Sequence, residues 1–170
     1  MSNTTMNCRL TSEGAIRLEN VSGADIKFRH FSGEKDQYHA QGQRDFNIAL
    51  PEDFADELIV KGWRVKLGKE KEDGTRYAPM IKVKVNFSSF KPPVITRWTS
   101  KGSVQIDESM AKDIDWDEIE SAAFIITPYN YDGKKTPYLQ TMRYKIEEDP
   151  FAGMYENDND FNNNDDWMNA

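Results

Sequence analysis

The chain of 170 residues is poor in the groups that most site chemistry uses. It has one cysteine, Cys8, two histidines, His30 and His39, and no apolar run near the length of about 20 residues that a membrane-spanning helix needs. One thiol excludes an internal disulfide framework and any cysteine-based zinc cluster. Two imidazoles and a distant Cys8 match none of the usual metal-ligand spacings, so neither a metal nor a cofactor is expected. The opening residues, Met1 to Asn7, lack the basic start and apolar centre of a signal peptide. The expectation is a single cytoplasmic domain with no membrane partner.

Catalytic motifs are missing too. There is no Walker-type phosphate loop, no Gly-x-Gly-x-x-Gly and no Gly-x-Ser-x-Gly turn. The run Asp113-Ile114-Asp115-Trp116-Asp117 begins like a calcium loop. Glu118, however, stands where a glycine is needed, and Phe124 where a bidentate glutamate is needed. It reads as a solvated helix face with Trp116 packed inward. A metal-dependent nuclease finds no paired acids followed by a strand lysine. No enzymatic activity is expected.

The net charge of -7 is unevenly spread. Eight of the 29 acids lie from Glu147 onward, where there is no Lys or Arg, which leaves 21 acids against 22 basic residues before it. Seven more acids stand between Asp107 and Glu120 against Lys112 alone, so the remainder of the body is clearly basic. Two segments therefore result: a body over 1–146, able to present a cationic face to a polyanion, and an acidic tail over 147–170. That tail, rich in Asn and Asp, has too little apolar surface to fold alone and is expected to be disordered.

The body is patterned for strands. Ala15 to Val21 and Ala24 to Phe31 alternate, as do Arg44 to Leu50 and Tyr77 to Phe87, and Trp63 to Leu67 reads as a short strand. Pro51 suits the start of a helix through Ile59, ended by Gly62. Asp73-Gly74 marks a hairpin loop within Gly68 to Arg76. Pro92-Pro93 precedes a hairpin around Lys101-Gly102, and Asp107 to Ser121 predicts one or two short helices. Ala122 to Thr127 and Tyr138 to Ile146 are strands, with a loop or strand end over Pro128 to Gly133. Many short strands with a few inserted helices predict a mainly β fold, a small barrel or sandwich.

Aromatic and basic residues are interleaved throughout this body. Ring faces stack on unpaired bases while Lys and Arg neutralise phosphates, so the pattern suits single-stranded nucleic acid. The candidate binding set is Arg29, Phe31, Lys35, Tyr38, Arg44, Trp63, Arg64, Lys66, Arg97, Trp98, Tyr129, Tyr131, Lys134, Lys135 and Tyr138. Phe28, Phe46, Phe87 and Phe124 are assigned to the core because their same-face neighbours are aliphatic. Period 2 leaves Trp63 open: it shares a face with Val65 and Leu67, which would make Arg64 and Lys66 the working pair. In the tail, Phe161 and the group Asp165, Asp166 and Trp167 set bulky apolar residues among acids. That suits docking on a partner's pocket with a basic rim.

With these residues in view, the chain resembles the small OB-fold single-stranded DNA-binding proteins of tailed bacteriophages. The likeness covers most of residues 20–146. It rests on Phe28-Arg29-His30-Phe31-Ser32-Gly33, Gly42-Gln43-Arg44-Asp45-Phe46, Gly62-Trp63-Arg64-Val65-Lys66, Pro92-Pro93, Ile126-Thr127-Pro128-Tyr129 and Tyr138-Leu139. It implies an OB-fold-like barrel that coats single-stranded DNA in the host cytoplasm during phage replication or recombination, as a homo-oligomer or a cooperative assembly. It also implies an acidic tail that recruits replication or recombination proteins. Such tails commonly end on phenylalanine, whereas this one ends Trp167-Met168-Asn169-Ala170, so Trp167 takes the anchor role. The alternative is a phage protein-interaction module, or a nucleic-acid mimic that inhibits a host factor. The acidic total favours that alternative and the aromatic-cation interleaving disfavours it.

Overall fold

The computed structural model describes residues 6–148. The tail residues Phe161, Asp165, Asp166 and Trp167 lie outside them. The order is β1 (Asn7–Leu10), β2 (Ile16–Ser22), β3 (Ile26–His30), β4 (Asp45–Ala49), α1 (Glu52–Val60), β5 (Met80–Lys84), β6 (Val94–Thr99), β7 (Gly102–Ile106), β8 (Ile119–Tyr131) and β9 (Lys134–Ile146). Two 3-10 helices, Gly23–Asp25 and Glu108–Asp115, are inserted. The strands pair in the order β1-β2-β8-β9-β5-β4-β3.

Strand β9 is the branching point. It pairs antiparallel with β8 along its whole length, while its other edge takes β5 in parallel at Tyr138 and then β6 in parallel over Thr141 to Lys145. The β6–β7 hairpin hangs from that second pairing. The fold is mainly β and OB-like, although the ladder of described strands stops at β1 and β3 instead of closing into a ring.

Alternation along β2, β5, β8 and β9 sends Ile16, Leu18, Ile81, Val83, Phe124, Ile126, Met142 and Tyr144 inward. Strand β4 is buried on both faces, as a central strand should be. Its Phe46 links Phe31 at 4.9 Å and Phe124 at 5.5 Å between ring centroids. Each such ring contributes about 1.5–3 kcal/mol by leaving water. Phe46→Ala would leave a cavity where three rings meet, at a cost of about 3–5 kcal/mol.

Helix α1 begins after Pro51, with Glu52 and Asp53 complementing its dipole, and buries Phe54, Ala55 and Leu58. Its end is a Schellman turn. The Trp63 amide donates to the Leu58 carbonyl at 2.9 Å and the Gly62 amide to the Ile59 carbonyl at 3.0 Å, with Gly62 at φ +90°. The apolar contact that accompanies this turn is supplied by Trp63, which is therefore core at 2% exposure.

Several elements differ from the sequence reading. Trp63 to Leu67 forms only isolated bridges, Trp63 to Lys135 and Lys66 to Met80. The long strand expected from Tyr77 is regular only over β5. Of the two readings of Pro128 to Gly133, a loop or a strand end, the strand end holds: β8 continues through Tyr131 to a two-residue turn at Asp132-Gly133, both with positive φ, as the tight hairpin turn requires. Trp116 does not pack inward; it is 86% exposed.

Candidate nucleic-acid interface

The candidate residues separate into four places. The first is a groove of about 710 Å³ between β3 and the arm that runs from Lys66 to Met80. Lys27, Lys66, Lys69 and Lys71 line it together with Phe28, Leu67 and Tyr77, and Asp25 is its one acid. Two local devices build it. In β3 the register shifts between Lys27 and His30, and Phe28 has φ +53°, so Lys27 and Phe28 both face solvent where a regular strand would hide one of them. An aromatic residue held in the left-handed region is strained, and such strain clusters at ligand sites. The arm closes because the Lys66 and Met80 amides donate to each other's carbonyls at 2.7 and 2.9 Å, and the Tyr77 amide donates to the Lys69 carbonyl. A Cβ on Gly68 would stand 1.6 Å from the Tyr77 carbonyl oxygen, so only glycine allows that approach.

Phe28 is 70% and Tyr77 59% exposed, and Lys71 sits 4.7 Å from the centre of the Tyr77 ring. Among the described residues, Lys27, Lys66 and Lys69 have no acidic partner within ion-pair distance.

The second place is the turn of the β8–β9 hairpin. Tyr129, Tyr131 and Lys134 are exposed there, with Tyr138 half-buried and edge-on to Tyr129 at 5.7 Å. Arg64 donates to the Tyr131 carbonyl at 3.2 Å, and Lys135 lies 5.9 Å from the Trp63 ring centre. The segment from Trp63 to Lys66 joins this turn to the groove. Its backbone bonds Lys135 at one end and Met80 at the other, while Arg64 and Lys66 are both exposed.

The third place holds arginines that are already occupied. Arg29 donates to the Ile114 and Asp117 carbonyls at 3.1 and 2.6 Å. Burial lowers its pKa, although Asp117 and Asp115 oppose that effect. Arg44 donates to the Phe31 carbonyl at 2.9 Å and pairs with Glu108 at 3.1 Å. Arg97 lies 3.5 Å from Asp117, whose carboxylate also accepts from the Tyr144 hydroxyl at 2.7 Å. Burial and that hydrogen bond push the Tyr144 pKa up. Asp115 takes the Phe31 and Ser32 amides at 2.6 and 3.2 Å. The acids that imitated a calcium loop thus hold the body together.

The fourth is the loop from Phe31 to Arg44, which exposes Lys35 and Tyr38. Below them His30 and His39 stack at 3.8 Å, both in contact with Asp36. Burial works against a charge on His39, yet hydrogen bonds with Asp45 and Asp36 outweigh it and raise its pKa.

These placements correct the candidate set. Phe31 is fully buried and Trp63 nearly so, and neither offers a ring face to a base. Arg29, Arg44 and Arg97 are committed to carbonyls and carboxylates. Trp98 is half-buried, with its indole nitrogen enclosed. Arg64, Lys66, Tyr129, Tyr131, Lys134, Lys135 and Tyr138 are brought together by the segment from Trp63 to Lys66, while Lys35 and Tyr38 sit apart on their loop. Phe46 and Phe124 are core as expected and Phe87 packs partly against it, but Phe28 is on the surface. The residues missed were Lys27, Phe28, Lys69, Lys71 and Tyr77; the spacing of Lys66, Lys69 and Lys71 before Tyr77 was the available signal.

Among solved structures, the chain is similar to the C-terminally truncated single-stranded DNA-binding protein from bacteriophage Enc34. The TM-score is 0.50 at 12% identity, over 88% of this chain and 95% of that one. That protein in complex with ssDNA gives a TM-score of 0.49 at 14% identity, over 88% and 96%. At 12% identity the first of these likenesses speaks for the fold alone. No curated protein matches the sequence. The family model described as "Putative phage ssDNA-binding domain" matches residues 10–166, nearly the whole chain, and the protein belongs to that family.

Proposed function

We propose that the protein is a non-enzymatic coat for single-stranded DNA in phage replication or recombination. The strand enters the groove of Lys27, Phe28, Lys66, Lys69, Lys71 and Tyr77 and continues past Arg64 to the tyrosines and lysines of the β8–β9 turn. The observation that carries this reading is the groove: four lysines and two exposed rings with one acid among them. Phosphates meet ammonium groups there, and bases meet Phe28 and Tyr77. Neither contact selects a base sequence. Proton transfer and nucleophilic attack have no part in it, and the basic surface fits binding better than mimicry of a nucleic acid. The acidic tail recruits partner proteins and competes with DNA for the same cations.

Titrating labelled oligo-dT at two salt concentrations tests the proposal. Four neutralised phosphates give a slope of log K against log salt of about -3, from about -0.7 per phosphate on a single strand. Absence of salt-dependent binding would refute it. Deleting residues 147–170 tightens binding if the tail competes; unchanged affinity removes that part.

A further inference from the structure

The histidine pair beneath the loop from Phe31 to Arg44 has a feature that DNA binding does not explain. His30 Nε2 is 2.8 Å from the Glu34 carbonyl oxygen, which only accepts, so Nε2 carries that ring's proton. His39 Nε2 is 3.0 Å from Oδ1 of Asp45, a carboxylate 2% exposed whose other oxygen is 3.6 Å from the Lys82 ammonium. That nitrogen is a donor as well. In the neutral rings both Nδ1 atoms are therefore lone pairs, and both face Asp36, at 3.5 Å for His30 and 3.0 Å for His39. Asp36, a carboxylate at neutral pH, has no proton to give either, and its Oδ1 accepts the Tyr38 amide at 2.8 Å.

Three lone-pair groups thus converge within 4.8 Å of one another with no donor between them. Protonating His39 alone supplies one donor to Asp36 but leaves the His30 Nδ1 lone pair facing the same carboxylate, and protonating both rings stacks two like charges 3.8 Å apart. One divalent cation answers all three groups at once. We infer that His30 Nδ1, His39 Nδ1 and the Asp36 carboxylate form a site for one zinc-class divalent cation, with the fourth position open to water.

The two histidine-to-carboxylate separations, 3.5 and 3.0 Å, suit such an ion, since neighbouring ligands on a tetrahedral centre stand about 3.3 Å apart at metal-ligand distances of about 2.0–2.1 Å. The surroundings suit it as well. Each ligating imidazole turns its other N–H to an oxygen, one to the Glu34 carbonyl and one to the buried Asp45 carboxylate, and that arrangement fixes the ring and raises its basicity. Ligation through both Nδ1 atoms would fan the rings to centroids about 5 Å apart, so loading breaks the stack. The ion would tie the end of β3 to Asp36 and His39 in the middle of the loop, setting the position of exposed Lys35 and Tyr38. The pattern is hard to see in sequence because its ligands, at 30, 36 and 39, come together only when Gly42 donates its amide to the Gly33 carbonyl and the loop folds back.

The test uses the untagged full chain stripped with EDTA, without DNA, so that its outcome is independent of the proposed nucleic-acid role. Calorimetry with zinc chloride should show one ion per chain, and cobalt(II) should give the visible absorption of a tetrahedral centre. His30→Gln and His39→Gln should each weaken binding at least tenfold, and Asp45→Asn, acting through His39, by about 10–100-fold. Cys8→Ser should leave binding unchanged, and circular dichroism checks that each variant is folded. Absence of zinc binding to the wild-type chain would overturn the inference, as would binding that survives both histidine substitutions, which would place the ion elsewhere in the chain.

Discussion

The groove and the arginine cluster carry the same charge and do opposite work. In the groove, Lys27, Lys66 and Lys69 are held without an acidic partner among the described residues, and the rings beside them are open. Around the 3-10 helix Glu108–Asp115, Arg29, Arg44 and Arg97 are wired to carbonyls and carboxylates drawn from distant parts of the chain. The side chains explain the division. A guanidinium presents several fixed donors and can staple two or three backbone acceptors at once, whereas an ammonium on a flexible stem is a mobile point charge. These three arginines assemble the body, while Lys27, Lys66 and Lys69 are left without an acidic partner among the described residues.

The strongest way to break this comparison is to reverse the groove. Lys27→Glu, Lys66→Glu and Lys69→Glu together should lower affinity for oligo-dT by about a hundredfold to a thousandfold at low salt, through lost phosphate neutralisation and added repulsion. Stability should move little, as expected for surface changes. Fluorescence anisotropy and urea denaturation read the two effects separately. A large loss of stability with intact binding would assign the lysines to the body instead.

The converse substitution is Asp117→Ala. It strips the Tyr144 hydroxyl and Arg97 of a charged acceptor in a half-buried place and should cost about 2–3 kcal/mol in urea denaturation. The affinity of the folded fraction for oligo-dT should stay within about twofold, because nothing in the groove touches Asp117. Loss of binding in the folded protein would show that the two regions are coupled.

Much of this division is legible in the sequence and some of it is not. Alternation reveals the strands of the body, because one buried face imposes a period of 2. The same rule misplaces Phe28, where a bulge and a positive φ turn two consecutive side chains outward. It leaves Trp63 undecided, because burial there follows from a helix-ending turn. The basic excess was visible, but not which cations are free: Arg29, Arg44 and Arg97 meet their partners across long separations in the chain. Lys69 and Lys71 read as part of an ordinary polar hairpin loop, and only its closure on β3 brings them into the groove. Tyr129 and Tyr131 stand out in the sequence as stacking candidates, and the strand-end alternative for Pro128 to Gly133 is the one that places them where β8 ends.

Phe28 sharpens the comparison at a single residue. Phe28→Ala should weaken oligo-dT binding by about 1–2 kcal/mol, or about 5–30-fold, the lower part of the range for one stacked base. Phe28→Gly should bind as weakly as the alanine variant and yet raise the melting temperature above it, because glycine adopts φ +53° without the steric cost an L side chain bears. Greater stability paired with poorer binding is the signature of strain kept for a ligand. Equal binding by all three proteins would remove Phe28 from the interface.

The smallest effect expected lies in the arginine cluster and depends on pH. Burial and the hydrogen bond to Asp117 raise the pKa of Tyr144 in the folded state above its ordinary value of about 10. The folded protein therefore holds that proton more tightly than the unfolded chain does. The stabilisation is complete below about pH 10 and is lost as the pH climbs from there toward the raised folded value. Tyr144→Phe should be less stable than the wild type by about 1–1.5 kcal/mol at pH 8, the net worth of one intramolecular hydrogen bond. The two urea curves should converge above pH 10, since the phenylalanine has no proton to lose. Every other group in the chain is common to both proteins, so its contribution cancels in the difference. A gap that stays constant through pH 11 would mean that packing, and not the hydroxyl's bond to Asp117, is what Tyr144 gives this side of the molecule.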